Sequence, residues 1–575
     1  MTTGSTRPRA PGASRALARL RRIFSTYEPA SATRKLELLG ALARGRLETA
    51  RAVLGLHEIL CFLRAYPDDA RVLAAVEGML GRFDRRADLR AHRHALRQSG
   101  IAGTELRFTF FAGAALHLAQ RWPERLSIAW EDFDARERLG WLLPLLTHPA
   151  ERAAFDAAEL GARPWLERFA RGREAAFLVL RWHELAADEP IRSALYDDFD
   201  PPLRLAPGPD TPCRTREKLR LPSRELSVHY QTRPLARARP DLATELRRPP
   251  ASVRAVSPRE ADAFIQLARD TMLPRERDLE VFAYASRADV RLVDAGDGLA
   301  FACIGVLPER RSLLEAVYGF LMLKNGVAVG YALASALYAS SEIAFNVFET
   351  FRGGEAARTF GRLCAAVHAL FGSDAFSVEP YQLGHDNDEG LGSGAFWFYQ
   401  KLGFRPVDRD VVALMQRELG RMRARPGHRS SLATLRRLVR AHVFWPAPPR
   451  RRDVLGLLSV ANVALHVSRH LQRYGADRER AQHACLAEAA LRLGVAPAEV
   501  RRWAPAERQA WERWAPLVSL LPGVERWSRA ERRALALVVR AKGAAEETDF
   551  VQRFQAHRRL RAAVLALAER PLALR

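Results

Sequence analysis

Phe351-Arg352-Gly353-Gly354-Glu355-Ala356-Ala357 lies between an apolar run and a long amphipathic helical pattern. Glycine lets a backbone come close to a ligand, and the free N–H groups at a helix start attract anions. Such a turn, with Arg352 beside it, suits a phosphate-like group. The plain alternative for Arg-Gly-Gly by itself is an ordinary strand-to-helix turn. Nearby proton acceptors are Glu342, Glu349, Glu379 and His385. On a strand, Glu342, Ala344, Asn346 and Phe348 share one face by the period of two, so Glu342 and Asn346 would be companions. Two patterns mimic metal chemistry. His57-Glu58-Ile59-Leu60-Cys61 opens like a zinc-protease motif but has Cys where the second His must stand. His92-Arg93-His94 lacks a third ligand. Cys61, Cys213, Cys303, Cys364 and Cys485 show no CxxC spacing, which points to small buried thiols and neither a disulfide framework nor a metal site.

The elements that would position these residues follow from periodicity. Ser252 to Val256 reads as a short strand. Ser257-Pro258-Arg259-Glu260 then starts a helix, with Ser as cap, Pro at the first position and Glu closing a capping box. Asp289 to Val293 and Leu299 to Val306 flank the turn Asp294-Ala295-Gly296-Asp297-Gly298. Ala316 to Leu323 and Val327 to Leu337 flank Lys324-Asn325-Gly326, a strong hairpin signal. Strands at Glu342 to Phe348 and Ala375 to Val378 bracket the helix that leaves the Arg-Gly-Gly turn. The polar, glycine-rich loop Leu383 to Gly394 leads to a last helix, Ala395-Phe396-Trp397-Phe398-Tyr399-Gln400-Lys401, which stops at Leu402-Gly403-Phe404.

That order resembles the GNAT superfamily of N-acetyltransferases over roughly Val253 to Arg423, under a third of the chain. The two carrying motifs are the Arg-Gly-Gly turn and Phe398-Tyr399-Gln400-Lys401-Leu402-Gly403-Phe404. The resemblance implies a mixed sheet whose central strand, Glu342 to Phe348, splays from Ala375 to Val378 with a coenzyme in the gap. It implies acetyl-CoA, or another acyl-CoA, as cosubstrate, with no metal. Val347 matches the strand position that bonds the pantetheine arm, and Arg352, Gly353, Gly354, Glu355, Ala356 and Ala357 match the pyrophosphate loop. Tyr399 matches the general acid on the leaving thiolate, and Glu342 lies where some members carry a catalytic Glu. Two departures stand out. The loop pattern is Gln/Arg-x-x-Gly-x-Gly/Ala, and Glu355 occupies its first Gly. Its carboxylate would compete with phosphates for the helix end unless it turns away. The Asn often found seven residues before the Tyr is replaced by Gly392, with Asn387 five residues further back.

Around this centre, 575 residues are enough for about three to four domains. We expect an α+β multidomain chain: a disordered basic tail (1–24), an all-helical domain (25–200), a Pro-rich connector (201–250), the GNAT-like domain (251–425), and a basic segment with an all-helical carboxyl-terminal domain (426–575). No apolar run reaches the roughly 20 residues a membrane span needs, and no signal peptide is read, so a cytoplasmic protein away from membranes is expected. The formal net charge of +24 invites an anionic partner. Only five of the 90 basic residues are Lys, however, and much of the Arg alternates with Glu and Ala on helix faces, the pattern of a solvated surface. The segment 405–452, with thirteen Arg against three acidic residues, is where a nucleic acid would bind. Three functions follow in order: acyl transfer from an acyl-CoA to an amine-bearing acceptor, small or macromolecular; aminoacyl transfer from charged tRNA; or a non-catalytic scaffold whose helical flanks bind a protein or nucleic acid.

Overall fold

The Asn325-Gly326 signal closes a hairpin, and so does the turn before Leu299, which is shorter than expected because its first strand runs on to Gly296. Asp297, Gly298, Asn325 and Gly326 have φ of 53°, 72°, 52° and 75°, the paired left-handed residues that a two-residue turn between right-twisted strands requires. Ser257 and Glu260 cap the Pro258–Met272 helix reciprocally, and Ser528 and Glu531 do the same for Arg529–Lys542. The computed structural model describes residues 12–134, 136–151, 153, 161–185, 188–219, 228–277 and 279–570.

The chain is α+β. Three short strands come first, β1 (Leu106–Phe108), β2 (Leu126–Ile128) and β3 (Leu203–Leu205), forming an antiparallel sheet in the order β1-β3-β2. The large sheet takes β4 (Ser252–Ala255), β5 (Ala285–Gly296), β6 (Leu299–Val306), β7 (Ala316–Lys324), β8 (Val327–Leu337), β9 (Ser340–Val347), β10 (Ala375–Val378), β11 (Arg405–Pro406) and β12 (Val443–Trp445). Its order is β11-β12-β10-β9-β8-β7-β6-β5-β4. β9 and β10 run parallel, and the other neighbours are antiparallel. A parallel pair needs a crossover, and the Ala356–Phe371 helix supplies it.

Helices cover both faces of the sheet. Phe360 of the crossover helix meets Phe345 of β9 with ring centroids 5.2 Å apart, and Phe371 meets Tyr318 of β7 at 5.0 Å. On the opposite face, Phe282 lies against Tyr331 of β8, at 6.5 Å. Tyr331 pairs with Asn346 in the β8–β9 register, so Asn346 points to that second face. The β9–β10 pairing ends at Ser377↔Glu342, while β9 continues to Val347 paired with β8. The two strands therefore part, leaving a gap beside the far half of β9.

The flanks are less simple than their sequences imply. Of the stretch expected as a disordered tail, residues 13–23 form the Ala13–Ile23 helix, with Ala16, Leu17 and Leu20 buried; residues 1–11 lie outside the described residues. Three apolar residues at helical spacing outweigh the Arg around them. The 25–200 region carries β1 and β2 besides helices. Its first four helices share the core of the large sheet, whereas Leu106, Trp165, Trp182 and Phe199 belong to a separate core. The Pro-rich connector supplies β3 and the Leu242–Leu246 helix, and Leu219 N–H donates to Gly326 O across the β7–β8 turn (2.8 Å); its residues 220–227 lie outside the described residues. The carboxyl-terminal flank is not only helical, since β12 inserts between β10 and β11. No described helix is long and apolar enough to cross a membrane.

Candidate functional site

The Arg-Gly-Gly turn is pinned from behind. Phe348 ends β9, a single 3-10 turn follows at Glu349–Phe351, and the crossover helix begins at Ala356. Phe351 is buried and stacks on Phe62 of the Ala50–Ala65 helix (6.5 Å, 22°). Thr350 is hydrogen-bonded to Glu58 of that helix and accepts from Arg214 at 3.2 Å. The amino-terminal flank thus fixes the loop that starts the helix.

Glu355 turns inward. It is 6% exposed, and its carboxylate accepts from Ala236 N–H (3.1 Å) and Arg358 (3.1 Å), with Lys324 Nζ at 3.4 Å. Burial works to raise its carboxyl, but the Lys324 charge, the Ala236 N–H and Arg358 hold it below the usual range. The competition expected between Glu355 and an anion at the helix start is therefore relieved: three internal donors consume this carboxylate. Arg352 instead faces outward, donating to Val347 O (3.3 Å) and to Glu389 (2.5 Å).

Tyr399, on the Ala395–Lys401 helix, is 2% exposed. Burial pushes its phenol well up, while hydrogen bonds with Gln382 and the Phe345 backbone work the other way. It stays protonated at neutral pH, the state a proton donor needs. Gly403 follows the helix with φ 101°, and Phe404 N–H returns to Tyr399 O (3.1 Å). Phe404 is fully buried, as a residue folded back on the core must be. Phe345, Phe360 and Phe398 wall this side, with Phe345 and Phe398 stacked at 6.1 Å and 6°.

Five of the expected residues come together. A cavity of about 340 Å³ lies in the gap beside β9, lined by Val347, Arg352, Ala356, Asn387 and Tyr399. Gln382, whose Nε2 donates to Phe345 O (3.0 Å), spans the gap toward β9. Gly353, Gly354, Glu355 and Ala357 belong to the same loop and helix start but do not line the cavity. Asn387 is first a helix cap: it accepts from Gly390 N–H (3.1 Å) and donates to Tyr381 O (3.1 Å). Glu342 does not reach the cavity. It pairs with His442 Nε2 at 3.1 Å, at the end of β9 where β10 is still joined to it. Glu379, near it, has its carboxyl raised by burial and by Glu342. The companion expected on the same face, Asn346, does line the cavity. His385 is paired with Asp386 (3.0 Å) on the outer loop.

Sequence reasoning missed Arg277, Tyr331, Gln382 and Glu389, all on the cavity wall. Arg277 stands in an irregular connection and Glu389 in a helix of six residues, too short for a period to mark which side chains point inward. Tyr331 was legible only through register: it sits opposite Asn346. The truncated zinc-like motif is structural, with His57 buried and hydrogen-bonded to Thr215 (2.9 Å). Among the described residues, no group of three or more His, Cys, Asp or Glu is placed to hold a metal ion. Compared with protein-family models, curated proteins and solved structures, the chain has no significant match to any.

Proposed function

We propose that this chain is an acyl-CoA-dependent N-acyltransferase, transferring an acetyl or other acyl group to an amine by direct attack. The observation that carries the reading is the single cavity that gathers a strand end (Val347), a helix start with its arginine (Ala356, Arg352) and a buried phenol (Tyr399) beside two parting strands. Its volume of about 340 Å³ falls in the range of small-molecule sites. Arg352 and the first-turn N–H groups would hold the coenzyme phosphates. The Phe345, Phe398 and Tyr399 wall suits the apolar arm and thioester. In the transfer, the amine nitrogen bonds to the thioester carbon and the C–S bond breaks. Tyr399 gives its proton to the departing thiolate, and the proton that the amine nitrogen sheds passes to solvent, from which the phenol is restored. Glu342 lies outside the cavity, so an acceptor amine that arrives neutral suits the site best. The protein is read as acting in the cytoplasm on an amine-bearing acceptor, small or macromolecular.

Calorimetric titration with acetyl-CoA tests this. Arg352→Ala is expected to weaken binding about tenfold, the effect of losing one charge-assisted contact. Tyr399→Phe should bind as the parent does and transfer the acyl group to a screened amine about a hundredfold more slowly. No binding at millimolar coenzyme would overturn the reading in favour of a non-catalytic scaffold whose helical flanks bind a protein or nucleic acid.

A further inference from the structure

One carboxylate is shared between two arginines at the mouth of the cavity. Glu389 Oε1 is 2.5 Å from Arg352, and its Oε2 contacts Arg277. Arg277 comes from the connection after the Pro258–Met272 helix, Arg352 from the loop after β9, and Glu389 from the short Asp388–Ser393 helix. Two cations facing one anion leave a net positive charge. Two guanidinium forks converging on one point match a phosphate or diphosphate better than a single carboxylate.

Position adds a second argument. A further cavity of about 290 Å³ adjoins the first, and both are lined by Arg277, Asn346, Arg352 and Glu389. The bridge therefore forms the partition between them. The second cavity takes its outer wall from the amino-terminal flank, at Gln98 and Ser99, and from the connector, at Arg214. With Glu389 moved aside, the two would join into one cleft between the sheet and that flank. The bridge is also easy to break: the three side chains are 39%, 44% and 42% exposed, and exposed ion pairs hold weakly.

We propose that Arg277 and Arg352 form the site for a diphosphate-type anion, and that the Glu389 carboxylate is its resident occupant, displaced as the ligand enters. Glu389 then lowers affinity for weak anions and closes the passage between the two cavities until a stronger anion opens it. An occupant that must leave reduces apparent affinity by the fraction of time the site is free. The inference deepens the donor-site reading, because the ligand it would take carries a diphosphate, but it can be tested apart from it.

The test is calorimetric titration of the full chain with inorganic pyrophosphate and, separately, with coenzyme A. Glu389→Gln should tighten pyrophosphate about fivefold or more, and Arg277→Gln should weaken it by a similar factor. Glu349→Gln removes a carboxylate that lines the second cavity but takes no part in the bridge; it should change affinity less than about twofold, which separates displacement from a general gain in positive charge. Circular dichroism and thermal unfolding check that each variant folds. Equal effects of Glu389→Gln and Glu349→Gln, or an Arg277→Gln variant that binds as the parent does, would overturn the proposal. Pyrophosphate responding as expected with no coenzyme binding would uphold the anion site and sink the acyltransferase reading. Coenzyme binding indifferent to Arg277 and Glu389 would do the reverse.

Discussion

At the scale of residues, the two glycines of the turn have different work to do. A Cβ added at Gly353 would meet nothing within 4 Å, whereas one at Gly354 would lie 2.9 Å from the Tyr66 hydroxyl and 3.0 Å from Phe351 O. Neither has a positive φ, so the demand at Gly354 is for space. Tyr66 is buried and stacked on Phe62, and a backbone carbonyl cannot swing away, so neither neighbour yields easily. Gly354→Ala should therefore cost about 1–3 kcal/mol, the usual range for overpacking. Gly353→Ala should stay within about 0.5 kcal/mol of the parent, as an open surface site does. Urea unfolding of the two variants checks this, and equal stabilities would mean that the loop gives way at Tyr66. Glu355 teaches a related lesson. Its sequence position marks it as an obstacle to anion binding, yet Lys324, Arg358 and the Ala236 N–H take up its charge. Two of those partners lie outside the motif, in a hairpin and in the connector, so no reading of the motif alone could supply them.

At the scale of elements, what was legible was local. The hairpins at Asp297-Gly298 and Asn325-Gly326, the capping boxes and the Gly403 stop each depend on residues a few positions apart, and each forms. What was hidden depends on distant pairing. β12 is three residues long and follows a helix, and its partners are Phe376, Ser377 and Val378 of β10 and the short β11; three residues carry no period that a sequence can show. The Ala50–Ala65 helix reads as one more amphipathic helix, and nothing in it says that Phe62 will back the loop at Phe351. That contact makes a prediction. Phe351 is 3% exposed, so Phe351→Ala should destabilise by about 3–5 kcal/mol. Because the ring anchors the loop, coenzyme affinity should fall as well under conditions where the variant is still folded. A variant that loses stability but binds coenzyme like the parent would show that the loop is positioned by the sheet alone.

At the scale of the whole molecule, the carboxyl-terminal region is locked to the sheet by buried charge. Arg311, fully buried, donates to Lys542 O (2.8 Å), Ala544 O (2.6 Å) and Ala545 O (3.1 Å). Asp289 of β5 accepts from Tyr318 Oη–H (2.8 Å) and Glu547 N–H (2.9 Å), and Lys542 pairs with Glu547 at 2.5 Å. Removing one member of such a network leaves its partners uncompensated, so the two regions hold together as a unit. Burial pushes the Asp289 carboxyl up to about 6, against the pull of the Glu547 N–H, Tyr318 and Arg311. An ordinary Asp in the unfolded chain titrates near about 3.9. Below that pH both states hold the proton and this group favours neither. As pH climbs from about 4 to 6, the unfolded chain releases the proton while the folded chain keeps it, so stability falls, and above the folded value the loss is complete. Its size is on the order of 3 kcal/mol, from a shift of roughly two pH units. Asp289→Asn cannot titrate and should lack this slope. Urea unfolding of parent and variant from pH 4 to 7 therefore gives a difference that changes steadily up to about pH 6 and then levels. Parallel profiles would mean that Asp289 is ionised throughout, with Arg311 and Tyr318 together outweighing its burial.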